Sequence, residues 1–77
     1  MKSKNYLEDL DKREKYIQTF SKFSHLLTTN QNQIFYLYYI EDLSLSEIAN
    51  IVATTRSSVY DTLKKARKKL DKFLNID

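Results

Sequence analysis

The chain contains no glycine, no proline, no cysteine and no tryptophan. Without cysteine there is no disulfide framework and no cysteine-based zinc site, and a reducing cytoplasm is the natural setting. Without glycine, glycine-rich phosphate loops are excluded outright. Without proline no helix is punctuated, and no residue type present calls for positive φ, so the composition predicts an all-helical chain. The longest apolar run, residues 34–40, is far too short to span a bilayer, so no membrane insertion is expected. Met1-Lys2-Ser3-Lys4 leads into charged residues and not into an apolar stretch, which predicts no secretory leader. With 77 residues, the chain is read as a single small domain over 1–77, near the lower limit at which one core suffices without staples.

The net charge is +3, and its distribution is uneven. Over residues 55–77, seven basic side chains stand against three acidic ones, while the rest of the chain is close to neutral. The excess positive charge therefore lies on the C-terminal helix. Such a face either solubilises a long helix or meets a polyanion.

Periodicity divides the chain into four predicted helices. The first spans about residues 4–26, where Tyr6, Leu10, Arg13, Ile17, Phe20, Ser24 and Leu27 follow at spacings of four and three. Arg13 interrupts that stripe, and Tyr16 and Phe23 widen it. Thr28-Thr29-Asn30 offers N-caps for a second helix over about 29–41. That helix carries Ile34-Phe35-Tyr36-Leu37-Tyr38-Tyr39-Ile40 and is apolar nearly all round, so it needs enclosure on several sides. Tyr36, Tyr38, Tyr39 and Ile40, with Phe20 and Phe23 of the first helix, are thus candidates for a homodimer or partner surface. The alternative is that the tyrosines expose only their hydroxyls.

Ser44 and Glu47 have the spacing of a capping box, opening a third helix over about 45–53 whose inward face is Ile48, Ala49 and Val52. Ala53-Thr54 makes a tight turn, and Thr55 caps a last helix over about 56–74. There Val59, Leu63, Ala66, Leu70 and Phe73 repeat at four-three spacing and face the core. Two short helices joined in this way are how a helix-turn-helix presents its second helix to a groove of DNA.

With Val59 inward, Ser57, Asp61, Lys64 and Lys68 point away from the core. Thr55, Arg56, Ser57 and Ser58 stand at the helix N-terminus, where unpaired amides and the dipole favour phosphate. Arg56 can fork onto guanine or pair with phosphate, and the two serines can bond to bases or backbone. Tyr60 lies on the flank, within reach of a phosphate or a thymine methyl. Lys64, Lys65, Arg67 and Lys68 would follow the phosphate backbone and make affinity salt-dependent. Asp61 opposes this reading by repelling phosphate, unless it accepts a hydrogen bond from a cytosine amino group or holds Arg56 or Lys65 along the helix. Catalysis has little support, since His25 is the single histidine and no nucleophile stands near it in sequence. Glu8, Asp9, Asp11 and Glu14 suit the macrodipole of the first helix better than a metal, and no metal or cofactor is expected.

The residues Leu26-Leu27-Thr28 with Gln31, the run Leu37-Tyr38-Tyr39-Ile40-Glu41-Asp42-Leu43-Ser44-Leu45-Ser46-Glu47-Ile48-Ala49, and Arg56 with Val59-Tyr60-Asp61 closely resemble the YlxM family of small bacterial proteins. The likeness covers roughly residues 20–74. It implies an all-α fold with a helix-turn-helix similar to region 4 of sigma-70 factors, within the winged-helix-like superfamily but without a wing. It also implies association with the signal recognition particle system, whose RNA and GTPases are candidate partners alongside duplex DNA. The expected role is a non-enzymatic nucleic-acid-binding regulator or accessory factor. The alternatives are a module that binds the particle's RNA or proteins without reading sequence, and an interaction module working through the tyrosine-rich helix. Two departures stand out. Family members are usually longer, with a further C-terminal helical segment, and the usual turn glycine is replaced by Ala53. That alanine must adopt left-handed geometry at about 1 kcal/mol or use a different turn.

Overall fold

The computed structural model describes the backbone of residues 2–74 and the side chains of residues 10–74. Four helices follow in order: α1 (Lys2–Phe23), α2 (Thr29–Tyr39), α3 (Leu45–Ile51) and α4 (Arg56–Asp71), with a 3-10 turn at Ser24–Leu26 after α1. The architecture is all-α, and the described residues contain no strand. α4 is the central element and packs against each of the other three.

α2, α3 and α4 each start where a side chain can satisfy an open amide. Thr28 caps α2, accepting from the Gln31 N–H at 3.1 Å while Gln31 Oε1 accepts from the Thr28 N–H at 3.1 Å. Ser44 and Glu47 form the same reciprocal box on α3, at 3.1 and 2.8 Å. Glu47 is held below the usual carboxylate range, first by the Ser44 backbone N–H and then by its hydroxyl. The Thr55 hydroxyl accepts from the Ser58 N–H at 3.0 Å and opens α4.

The helix ends differ from the expected ones. The last turn read as α-helical at residues 24–26 is 3-10. It is tied down by Asn32, whose Nδ2 donates to the Ser24 carbonyl at 2.9 Å, and by Lys69, whose Nζ donates to that of Leu26 at 3.4 Å. α2, α3 and α4 each stop two or three residues short of the expected end. The first two stop early because a residue after the helix takes positive φ: Asp42 at 61° and Ala53 at 57°. Left-handed geometry thus occurs twice among the described residues of a chain without glycine, against the expectation from composition.

The core is assembled around Phe35, which is fully buried, together with Ile34, Ile48, Val59, Leu63, Ala66 and Leu70. Phe35 stacks on Phe20 at 4.7 Å and on Tyr39 at 4.3 Å between centroids, and meets the Tyr16 ring edge-on at 6.3 Å. Tyr16, not Ile17, is therefore the inward residue of α1, and Leu10 is 42 % exposed. The buried stripe runs through Tyr16, Thr19 and Phe20, rotated from the expected one because aromatic rings outbid aliphatic side chains for contact with Phe35. Thr19 is buried without penalty, since its hydroxyl donates to the Lys15 carbonyl at 2.7 Å. Tyr6 lies outside the described side chains. Phe23 stacks on Phe73 at 4.5 Å, and the Tyr16 hydroxyl donates to Asp71, which joins α1 to the far end of α4.

Candidate nucleic-acid interface

α3 and α4 are joined by a turn built from backbone hydrogen bonds. The Thr54 N–H donates to the Ala49 carbonyl at 2.9 Å across the left-handed Ala53, which is the long bond of a Schellman motif. Ile48 and Ala49 on α3 and Val59 and Leu63 on α4 are buried, so the two helices share the core and fix each other's direction. With those side chains inward, the opposite side of α4 is left to solvent.

That outer side carries most of the residues singled out above. Thr55, Arg56, Ser57, Ser58, Tyr60, Asp61, Lys64, Lys65 and Lys68 are all exposed. The Thr55 hydroxyl is committed to the cap, so what it offers a ligand is the helix start and not a free side chain. Leu45, Arg56, Ser57, Tyr60 and Asp61 line a shallow groove of about 400 Å³ between the starts of α3 and α4. Lys64 Nζ lies 5.9 Å from the centroid of the Tyr60 ring. Asp61 pairs with Lys65 one turn on, at 3.4 Å. Such an exposed pair contributes little stability, but it places a cation beside the one carboxylate on this face.

Arg67 is placed elsewhere. It is half-buried, and its Nε donates to the Tyr39 hydroxyl at 2.7 Å, which turns its head towards α2 and away from the outer lysines. Burial raises the Tyr39 pKa despite the nearby arginine, so its hydroxyl stays protonated through the neutral range.

The expected partner surface on α2 is likewise divided. Phe20 and Tyr39 are buried in the core, and Phe23 and Tyr38 are half-buried, which leaves Tyr36 and Ile40 as the exposed members. The reason is geometric: α2 lies against α1, α3 and α4, so a helix apolar all round is covered on most sides by its own chain. Sequence periodicity missed Arg13, which looked like a break in the α1 stripe. Its Nη2 donates to the carbonyls of Tyr38 and Tyr39 at 3.0 and 3.2 Å and to Asp42 Oδ1 at 2.9 Å, closing the end of α2. The readable signal was a lone arginine in an otherwise apolar stripe, opposite a helix end that lacks its own basic residue.

His25 is exposed, as are Asp11 and Glu14, while the Glu8 and Asp9 side chains lie outside the described residues. Among the described residues, no three potential metal ligands come together. No helix among them is long and apolar enough to cross a membrane.

Two short helices at a tight turn, the second capped and presented with a basic outer face, define a helix-turn-helix protein. A family profile described as "Putative helix-turn-helix protein, YlxM / p13 like" matches residues 10–75, and the chain belongs to that family. It is 40 % identical over 63 residues to a UPF0122 protein of Limosilactobacillus fermentum, covering 82 % of this chain and 56 % of that one. It is 44 % identical over 70 residues to a "Probable UPF0122 protein" of Mycoplasma mycoides, covering 91 % and 60 %. A relative from Thermoanaerobacter is 45 % identical over 51 residues, covering 66 % and 44 %. The chain thus spans about half the length of the curated relatives it matches. No solved structure matches it.

Proposed function

We propose that the chain is a nucleic-acid-binding protein that docks through the N-terminal half of α4. It acts in the cytoplasm, without catalysis of its own, as an accessory or regulatory factor of the signal recognition particle pathway. The observation that carries the docking reading is the exposed start of α4, where Arg56, Ser57 and Ser58 surround the open amides and Lys64, Lys65 and Lys68 continue the positive face. Phosphate finds fixed donors at the helix start and mobile cations along its length. The pathway assignment rests on the resemblance of residues 20–74 to the YlxM family. Its candidate partners are the particle's RNA and GTPases.

Base-reading groups are sparse on this face. Arg56 is the one side chain able to fork onto a base edge, with Ser57, Ser58 and Tyr60 beside it. This favours docking on backbone shape over strict sequence reading, and makes the particle's RNA as good a target as duplex DNA.

Binding anisotropy against one duplex, random duplex and the particle's RNA, over a salt series, tests the proposal. Affinity falls steeply with salt, and Arg56→Ala removes about 1–3 kcal/mol of any preference between targets. Absence of binding to all three nucleic acids at low salt sinks the docking reading. It would leave an interaction module using Tyr36 and Ile40, with a homodimer among its forms.

A further inference from the structure

A second recess, of about 700 Å³, lies between α1, α2 and the C-terminal half of α4, away from the outer face of the reading helix. Its walls are Tyr16, Tyr38 and Tyr39, with Lys12, Arg13 and Arg67 bringing three cations into it against Asp42, the one carboxylate in the lining. The Asp71 carboxylate stands next to the recess, engaged by the Tyr16 hydroxyl. The two guanidinium centres stand 5.1 and 5.6 Å from the centroid of the same Tyr39 ring, so both are packed on aromatic surface and held in position.

The hydrogen-bond inventory of the recess is lopsided. Asp42 Oδ1 already accepts from Arg13, and the Tyr39 hydroxyl already accepts from Arg67. Arg67 uses only Nε in this way, and neither of its Nη groups bonds to a described residue. No buried side-chain nitrogen or oxygen among the described residues lacks a partner, so those Nη groups are reached by solvent, and Arg67 is one of the residues that line the recess. A preoriented guanidinium with an edge that no described residue uses, flanked by a second arginine and a lysine, leaves donors over for a ligand. Oxyanions supply acceptors in the geometry an arginine edge prefers. The volume suits a small molecule.

We propose that this recess binds a small ligand through a terminal oxyanion, phosphate or carboxylate, held by Arg67 and Arg13 with Lys12 at the rim. A duplex phosphodiester runs along a convex rod and meets the outer lysines first, whereas a terminal group can enter between the tyrosines. The site is independent of the nucleic-acid face, because none of its cations belongs to the start of α4.

The test titrates the full chain with pyrophosphate, and separately with citrate, at constant ionic strength. Binding is followed by calorimetry and by the NMR signals of the Arg67 Nε–H and the Tyr39 ring. Saturable binding of one probe with shifts at both reporters supports the site, and which probe saturates tells phosphate from carboxylate. Arg67→Gln weakens that binding tenfold or more. Exposed Lys12→Glu weakens it several-fold without touching the core, which keeps the test decisive if the arginine variant folds poorly. Arg56→Ala leaves it unchanged while lowering nucleic-acid affinity, so the two proposals fail separately. Saturation by neither probe overturns the inference, as does saturation that survives both Arg67→Gln and Lys12→Glu.

Discussion

Two of the described residues are left-handed, and a backbone hydrogen bond spans each. It runs from the Leu43 N–H to the Leu37 carbonyl across Asp42 and from Thr54 to Ala49 across Ala53, but only Asp42 has a side-chain brace besides. Asp42, after α2, is also fastened from outside: Arg13 on α1 bonds its carboxylate and the carbonyls of Tyr38 and Tyr39 at the end of α2. Ala53, after α3, has no side chain to fasten and depends on the backbone bond from Thr54 to Ala49. The first turn belongs to the scaffold, and the second carries the reading helix. Aspartate tolerates left-handed backbone better than alanine does, so the braced turn is also the less strained one. The difference shows where the fold invests its fixing contacts. α2 and α1 are locked together, while α4 is aimed by its own core side chains and a turn under strain.

The largest expected effect comes from breaking the brace. Arg13→Ala removes a charge-assisted bond and uncovers the end of α2, costing about 2 kcal/mol in urea unfolding. A loss below a few tenths of a kcal/mol would mean that the arginine is ornamental and the turns are equals. Next comes relief of strain at the other turn. Ala53→Gly stabilises by about 0.5–1 kcal/mol, the relief of left-handed geometry less the added freedom of the unfolded chain. The melting temperature then rises by a few degrees. Destabilisation by this change would show that Ala53 is not strained.

The smallest effect is one of pH. Glu47 closes the box at the start of α3, just after the braced turn, and its folded pKa lies below its ordinary value. Its contribution is therefore complete above the ordinary carboxylate range and is lost as pH falls through that range and the lowered pKa. Glu47→Gln, which keeps an acceptor without the charge, flattens this part of the stability curve. Unchanged acid sensitivity in the glutamine variant would move the cause elsewhere.

Much of this was legible in the residues. The capping box of Ser44 and Glu47 and the four-three repeat from Val59 to Leu70 predicted α3, α4 and the outer face between them, because both depend on spacing alone. The left-handed turn at Ala53 was foreseen as one of two options. What could not be read depends on contacts far apart in sequence. Which side of α1 turns inward is decided by Phe35, and periodicity within α1 cannot register that choice between Tyr16 and Ile17. Arg67 looked like one more lysine-type cation on the basic helix. Its hydrogen bond to Tyr39, 28 residues away, removes it from that face. The recess it lines exists only once three helices have met.

The link from Tyr16 to Asp71 joins residues 55 apart in sequence, and the Phe23–Phe73 stack reinforces it. Contacts of that separation close the largest loops among the described residues, whereas consecutive helices, α1 and α2 included, meet through short connections. Loop-closure entropy therefore places the closing of α1 onto the end of α4 late in folding, after α1 has met α2 and the helix-turn-helix has assembled. Tyr16→Phe, which cuts the link and keeps the ring, then speeds unfolding while leaving the folding rate nearly unchanged in stopped-flow measurements. During synthesis α1 emerges before α2, α3 and α4, so its contacts with the end of α4 wait until that end has been made.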